Sequence, residues 1–187
     1  MAFRPILSPC DSSYPAARSG GTRDPKKDIK WVVVHDTEGG SARSVAQMFS
    51  RQSATASTHL VVDEGECYRM LRNDQIPWGA PGANTNGFHI EHVGFARWTR
   101  EEWLNHELTL RRGAYKTALH LNAWGLPARW VGPLGLRLGR KGITTHADVT
   151  KWKRTAGGHT DPGANFPKDV YLQYVKLYLK SIQLSPL

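Results

Sequence analysis

Two hydrophobic periods divide this chain, one suited to strands and one to helices. From Ile29 to Val34 the positions are apolar except for Lys30, and the run ends on His35. A short apolar run of this kind reads as a strand buried on both faces. Asp36-Thr37-Glu38-Gly39-Gly40 breaks it into a loop, and Ser41 can cap a short helix in which Val45, Met48 and Phe49 share a face. Thr58 to Asp63 and Glu66 to Leu71 are strand-like runs around the turn signal Asp63-Glu64-Gly65, which predicts a β-hairpin. Trp78 to Gly87 is a loop rich in Gly, Pro and Asn, and Phe88 to Phe95 reads as a further strand.

The second half of the chain is more helical. Thr99-Arg100-Glu101-Glu102 has the form of a capping box. Behind it Trp103, Leu104, Leu108, Tyr115, Leu119 and Ala123 recur at helical spacing, with Gly125 as a stop. Residues 126–142 are rich in Gly, Pro and Arg and predict a long surface loop. Pro167 can start a last helix whose apolar side holds Val170, Tyr174, Leu177 and Tyr178. Strands interleaved with helices imply an α/β fold. The expectation is a single domain over residues 29–184, with a central mixed β-sheet flanked by helices, preceded by an irregular arm over residues 1–28.

At 187 residues such a domain buries enough surface to need neither metal nor disulfides for stability. Cys67 falls in a strand and reads as a small buried apolar residue. Cys10, in a Pro/Ser-rich arm, reads as a free thiol, and both fit a reducing cytoplasm. No apolar run is long enough to cross a membrane, and the first ten residues lack the pattern of a secretory signal. Synthesis in the cytoplasm and no stable membrane insertion are therefore expected. The net charge of +9 favours polyanionic partners. Because the basic residues are scattered rather than interleaved with aromatics, no nucleic-acid partner is expected, and an anionic bacterial envelope fits the charge as well.

The chemistry concentrates in a few places. The strand ending in His35, the segment Thr145-His146-Ala147-Asp148 and the segment His159-Thr160-Asp161-Pro162-Gly163 offer two imidazoles and a carboxylate. His35, His146 and Asp161 are the ligand types of a catalytic Zn2+ with one coordination position open, at one end of the sheet. In His89-Ile90-Glu91-His92, strand alternation puts His89 and Glu91 on one face and Ile90 and His92 on the other. Glu91 is then either a carboxylate on an exposed edge strand or a general base beside the metal. His106 and His120 fall on the long helix and read as surface or packing residues.

These segments, in this order, resemble the type-2 N-acetylmuramoyl-L-alanine amidase family, and most of all endolysin amidase domains of phages infecting actinobacteria. The resemblance runs from about Ile29 to Tyr178 and includes Ser57-Thr58-His59-Leu60-Val61-Val62, Asn86 to Gly94 and Gly142 to Asp148. It implies zinc on His35, His146 and Asp161, with Glu91 at the acidic catalytic position. His159 stands where many members carry lysine, and is expected to stabilise the oxyanion as a neutral donor. Substrate contacts are implied at His59, Trp78 and Asn86, with the Trp78–Asn86 loop and the 126–142 loop bordering the groove. The implied activity is hydrolysis of the amide between N-acetylmuramic acid and L-alanine of bacterial peptidoglycan, by a monomeric lysin reaching the wall after membrane permeabilisation. A non-catalytic peptidoglycan-binding module and a zinc peptidase cutting within the stem peptide are the alternatives.

Overall fold

The computed structural model describes residues 9–154 and 158–184. After an irregular arm come α1 (Pro25–Asp28), β1 (Trp31–Asp36), α2 (Ala42–Phe49), β2 (Leu60–Val62), β3 (Cys67–Arg69) and β4 (Gly87–His92). There follow α3 (Arg100–Asn105), α4 (Glu107–Ala123), α5 (Pro133–Arg137), β5 (Gly142–Thr145), α6 (His146–Lys153) and α7 (Lys168–Leu184). The strands form one sheet in the order β3-β2-β4-β1-β5. β2 and β3 pair antiparallel as the hairpin, and the remaining pairs are parallel. This is the mixed α/β architecture the sequence predicts.

Side-chain parity on the central strands separates two cores. Val32 and Val34 of β1, with Phe88 and Ile90 of β4, face α4 and α7 and pack with Leu110, Ala114, Leu121, Tyr171 and Val175. Trp31 and Val33 turn the other way and meet Val131, Leu136 and Val149 near α5 and α6. Beside them Val61, Tyr68 and Met70 pack on Ala42, Val45 and Phe49 of α2. Burial of this scale is the main force holding the domain, at about 1.5–3 kcal/mol per large apolar side chain. β4 lies in the middle of the sheet and is buried along its whole length, which excludes the edge-strand reading of Glu91.

Helix phase departs from the sequence reading in two places. The expected long helix breaks at His106 (φ −100°, ψ 43°), whose ring stacks 4.5 Å from that of Trp98. The stripe of α4 that packs inward is Leu110, Ala114, Ala118 and Leu121, while Leu104 and Leu108 stay exposed. In α7 it is Tyr171, Val175 and Tyr178 that are buried, and Leu177 faces outward. Both helices carry more than one apolar stripe, and their packing against each other and the sheet selects which one is used. The capping box at Thr99 and Glu102 forms as expected, and Gly125 follows α4 with φ +62°. Residues 126–142 are not all loop: they contain α5, and Leu126, Val131 and Leu136 are buried.

The arm is stitched to the sheet rather than loose. Asp11 donates its N–H to Cys67 O, Arg69 to Asp11 O, Ala16 to Met70 O and Arg23 to Asp74 O. This run covers the outer edge of β3, where unpaired backbone groups would otherwise be open to pairing. The first eight residues of the expected arm lie outside the described residues. Because the arm passes β3, Cys10 meets Cys67 across 57 positions of sequence, and the two form a disulfide. Neither is the free or merely apolar thiol expected, and the argument for a reducing compartment falls with that. Among the described residues no helix is long and apolar enough to cross a membrane.

Cross-linking a loop of this length restricts the unfolded chain, so Cys10→Ser should lower stability by about 2–4 kcal/mol in denaturant titrations. Buried histidines add a pH dependence. Burial pushes His92 down to about 4 and His120 down to about 3, against about 6.5 in an unfolded chain. Between those values the unfolded chain binds more protons. Their contribution is therefore complete above pH 6.5 and declines as pH falls toward 4. His120→Gln should flatten the slope of stability against pH in that window by up to ~1.4 kcal/mol per pH unit, read from denaturation midpoints.

Candidate metal centre and active site

The site forms where the parallel strands end. Parallel pairing sets His35 of β1 beside Glu91 of β4 in register, both on the sheet face opposite α4 and α7. β5 ends at Thr145, whose hydroxyl caps α6 by accepting from Asp148 N, so His146 projects from the first turn of that helix. Asp161 comes from the following loop, held by Ala147 N donating to its backbone O at 2.9 Å. A cleft of about 340 Å³ opens here, lined by His35, Asp36, Glu91, His146, His159 and Asp161 among others.

The three expected ligands meet. His35 Nδ1 lies 2.9 Å from Asp161 Oδ2 and His146 Nδ1 lies 3.0 Å from Asp161 Oδ1. One nitrogen or oxygen from each residue lies within 4.8 Å of the others. Burial works to raise the Asp161 carboxyl, but hydrogen bonds from His146 and His35 outweigh it and hold the group well below the usual carboxylate range. Burial lowers His35, which favours the neutral imidazole that a metal requires. His92, on the opposite face of β4, approaches the backbone O of His35 with Nδ1 at 3.1 Å and reaches Tyr171 of α7 with Nε2.

Two buried carboxyls adjoin this group. Burial, with the nearby Asp161 and Asp36 carboxylates, raises Glu91 well above the usual range, and its Oε2 has no hydrogen-bond partner among the described residues. Asp36 is pushed up to about 7 by burial; its Oδ1 accepts from Glu38 N while Oδ2 is unpartnered. Sequence reasoning passed over Asp36, although its position at the end of the same strand as His35 was a usable signal. His159 stands at the rim with its side chain 60% exposed, stacked on the His146 ring at 4.0 Å, with Nδ1 3.7 Å from Asp161 Oδ1.

The structure does not gather the three expected substrate contacts. His59 is fully buried, with Nδ1 accepting from His89 N and Nε2 near Gln75 O, so it stands inside the protein rather than on the cleft. Asn86 precedes β4 at the opposite end of the sheet, where its Nδ2 donates to Asp28 O. Trp78 is 44% exposed and outside the cleft lining, although its neighbour Gly79 belongs to it. The 126–142 segment also lies at the far end, where Arg140 O accepts from the indole of Trp31, and it does not border the cleft. In its place Phe49, Ala56 and Ser57 form one wall.

Comparison with known proteins agrees with this architecture. No curated protein sequence matches the chain. Among solved structures, a Staphylococcus aureus hydrolase, AmiA, in complex with its ligand is similar over 95% of this chain and 82% of its own, at 18% identity and a TM-score of 0.62. The catalytic domain of XlyA is similar over 89% and 97%, at 16% identity and a TM-score of 0.61. The N-acetylmuramoyl-L-alanine amidase LysC from Clostridium intestinale is similar over 89% and 96%, at 16% identity and a TM-score of 0.58. At these identities the likeness establishes the fold. The family model described as N-acetylmuramoyl-L-alanine amidase matches residues 25–164, a span that contains every residue of the cleft named above, and the chain belongs to that family.

Proposed function

We propose that the chain is a zinc-dependent lytic amidase of bacteriophage type that cuts the bond between the lactyl carbonyl of N-acetylmuramic acid and the nitrogen of L-alanine in bacterial peptidoglycan. The observation that carries this is the convergence of His35, His146 and Asp161 with the unpartnered oxygen of Glu91 in one open cleft. Two imidazole nitrogens and a carboxylate suit zinc, and three protein ligands leave a position for reactants. When bound there, zinc supplies Lewis acidity that polarises the scissile carbonyl and makes water acidic enough to attack near neutral pH.

The protein's own groups divide the remaining work. As the water oxygen attacks the carbonyl carbon, Glu91 Oε2 accepts the proton released. Its unpartnered oxygen at the cleft suits it both to hold that proton and to pass it on. Negative charge that develops on the carbonyl oxygen is met by a ring N–H of His159 at the rim of the cleft. When the C–N bond breaks, the proton moves from Glu91 to the departing nitrogen, which leaves as the amine of L-alanine. A module that only binds peptidoglycan has no use for a buried carboxyl beside an open ligand triad. The positive net charge favours retention on an anionic envelope, and the disulfide suits work outside a reducing compartment.

Mass spectrometry of digests of purified peptidoglycan tests this reading. Glycan free of stem peptide, together with peptides that begin at L-alanine, is the expected product. Chelation should abolish the activity and zinc should restore it. Cleavage between two stem-peptide residues would replace the amidase with a peptidase. Glu91→Gln should retain zinc and fold while losing about 10²–10⁴-fold in rate, the usual contribution of a positioned acid or base. His159→Ala should cost about 10²–10³-fold in kcat, the scale of one oxyanion donor. Rates within threefold of the parent would remove either residue from the mechanism.

A further inference from the structure

His89 has no part in the reaction as described, yet it touches a metal ligand. Its Nδ1 lies 3.0 Å from His35 Nε2, the ring nitrogen turned away from Asp161, and the two ring planes lie within 23° of one another. We propose that His89 is a positioning residue, whose Nδ1 accepts the Nε2–H of His35 and fixes that ring with Nδ1 deprotonated toward zinc. This rests on the zinc reading given above. A neutral imidazole that gives one nitrogen to a metal carries its proton on the other, and an acceptor for that proton sets both tautomer and ring plane.

The surroundings of His89 are built around the ring. Its backbone N–H donates to His59 Nδ1, and its backbone O accepts from the hydroxyl of Thr58. The ring occupies a slot that two glycines leave open. A Cβ at Gly79 would stand 2.5 Å from His89 Nδ1, and one at Gly87 would stand 2.7 Å from Nε2. Inside this slot Nε2 is buried with no hydrogen-bond partner among the described residues. A leucine would fill the space without an orphaned polar atom. Retaining imidazole there is accounted for by the bond its other nitrogen makes to His35.

Three variants separate positioning from packing, with zinc affinity measured by competition against a chelator and the melting of metal-free protein as the control. His89→Leu keeps the bulk and removes the acceptor, and should weaken zinc by about 10–100-fold, the usual effect of losing such a support. His89→Asn can present Oδ1 in place of Nδ1 and should bind zinc within about fivefold of the parent, on the same scale of effects. Gly79→Ala leaves the imidazole intact but crowds Nδ1, and should weaken zinc as His89→Leu does. All three metal-free proteins should melt cooperatively. Zinc affinity of His89→Leu equal to the parent's, or His89→Asn binding as weakly as His89→Leu, overturns the positioning role while leaving the zinc reading intact. A parent protein that takes up no zinc overturns both.

Discussion

The parallel pairing of β1 with β4 sets His35 beside Glu91. Side chains alternate along a strand, so that register also sends Val34 and Ile90 into the opposite core. A slip by one residue would exchange the two sets, moving a candidate ligand and the candidate base into an apolar interior and two large aliphatic groups into the cleft. The apolar halves of both strands thus hold the polar halves in place. The catalytic geometry is a consequence of burial on the far side of the sheet.

Asp36, Glu91 and Asp161 stand together at the end of this sheet in a chain of net charge +9. They are not equivalent. Asp161 lies against imidazole nitrogens of His35 and His146 and is held well below the usual carboxylate range, whereas burial raises Asp36 and Glu91, each with one unpartnered oxygen. Neighbouring carboxyls whose proton affinities are pushed apart are suited to different tasks, and the proposed reaction uses Asp161 as a ligand and Glu91 for proton transfer. The histidines divide in the same way. Burial lowers the proton affinity of His35 and His89, and His159 alone of the cleft imidazoles stands at an exposed rim.

Much of this was legible in the sequence because it depends on local period. The run into His35, the hairpin around Asp63-Glu64-Gly65 and the capping box at Thr99 each encode their element in adjacent residues. The meeting of His35, His146 and Asp161 was legible because few residue types suit a metal and these stand at or near the ends of such elements. What escaped was decided by tertiary neighbours. Periodicity gave α4 and α7 apolar stripes but not the stripe that packing uses. It placed Asn86 near Glu91 in sequence, although five residue steps at about 3.3 Å each separate them along the strand. It could not show that the arm passes β3, and so it left Cys10 unpaired.

The arm also reaches the site through a connected set of buried groups. Arg23 lies outside the span that the family model matches, yet its guanidinium is buried and donates to the backbone O of Asn84, Thr85 and Gly87 at the start of β4. Its other terminal nitrogen stands 2.8 Å from His59 Nε2, and His59 Nδ1 accepts the backbone N–H of His89. His89 in turn touches His35. Three carbonyls at the entry to β4 are thus satisfied by a side chain from the arm. The segment before α1 is therefore part of the framework that holds the start of β4.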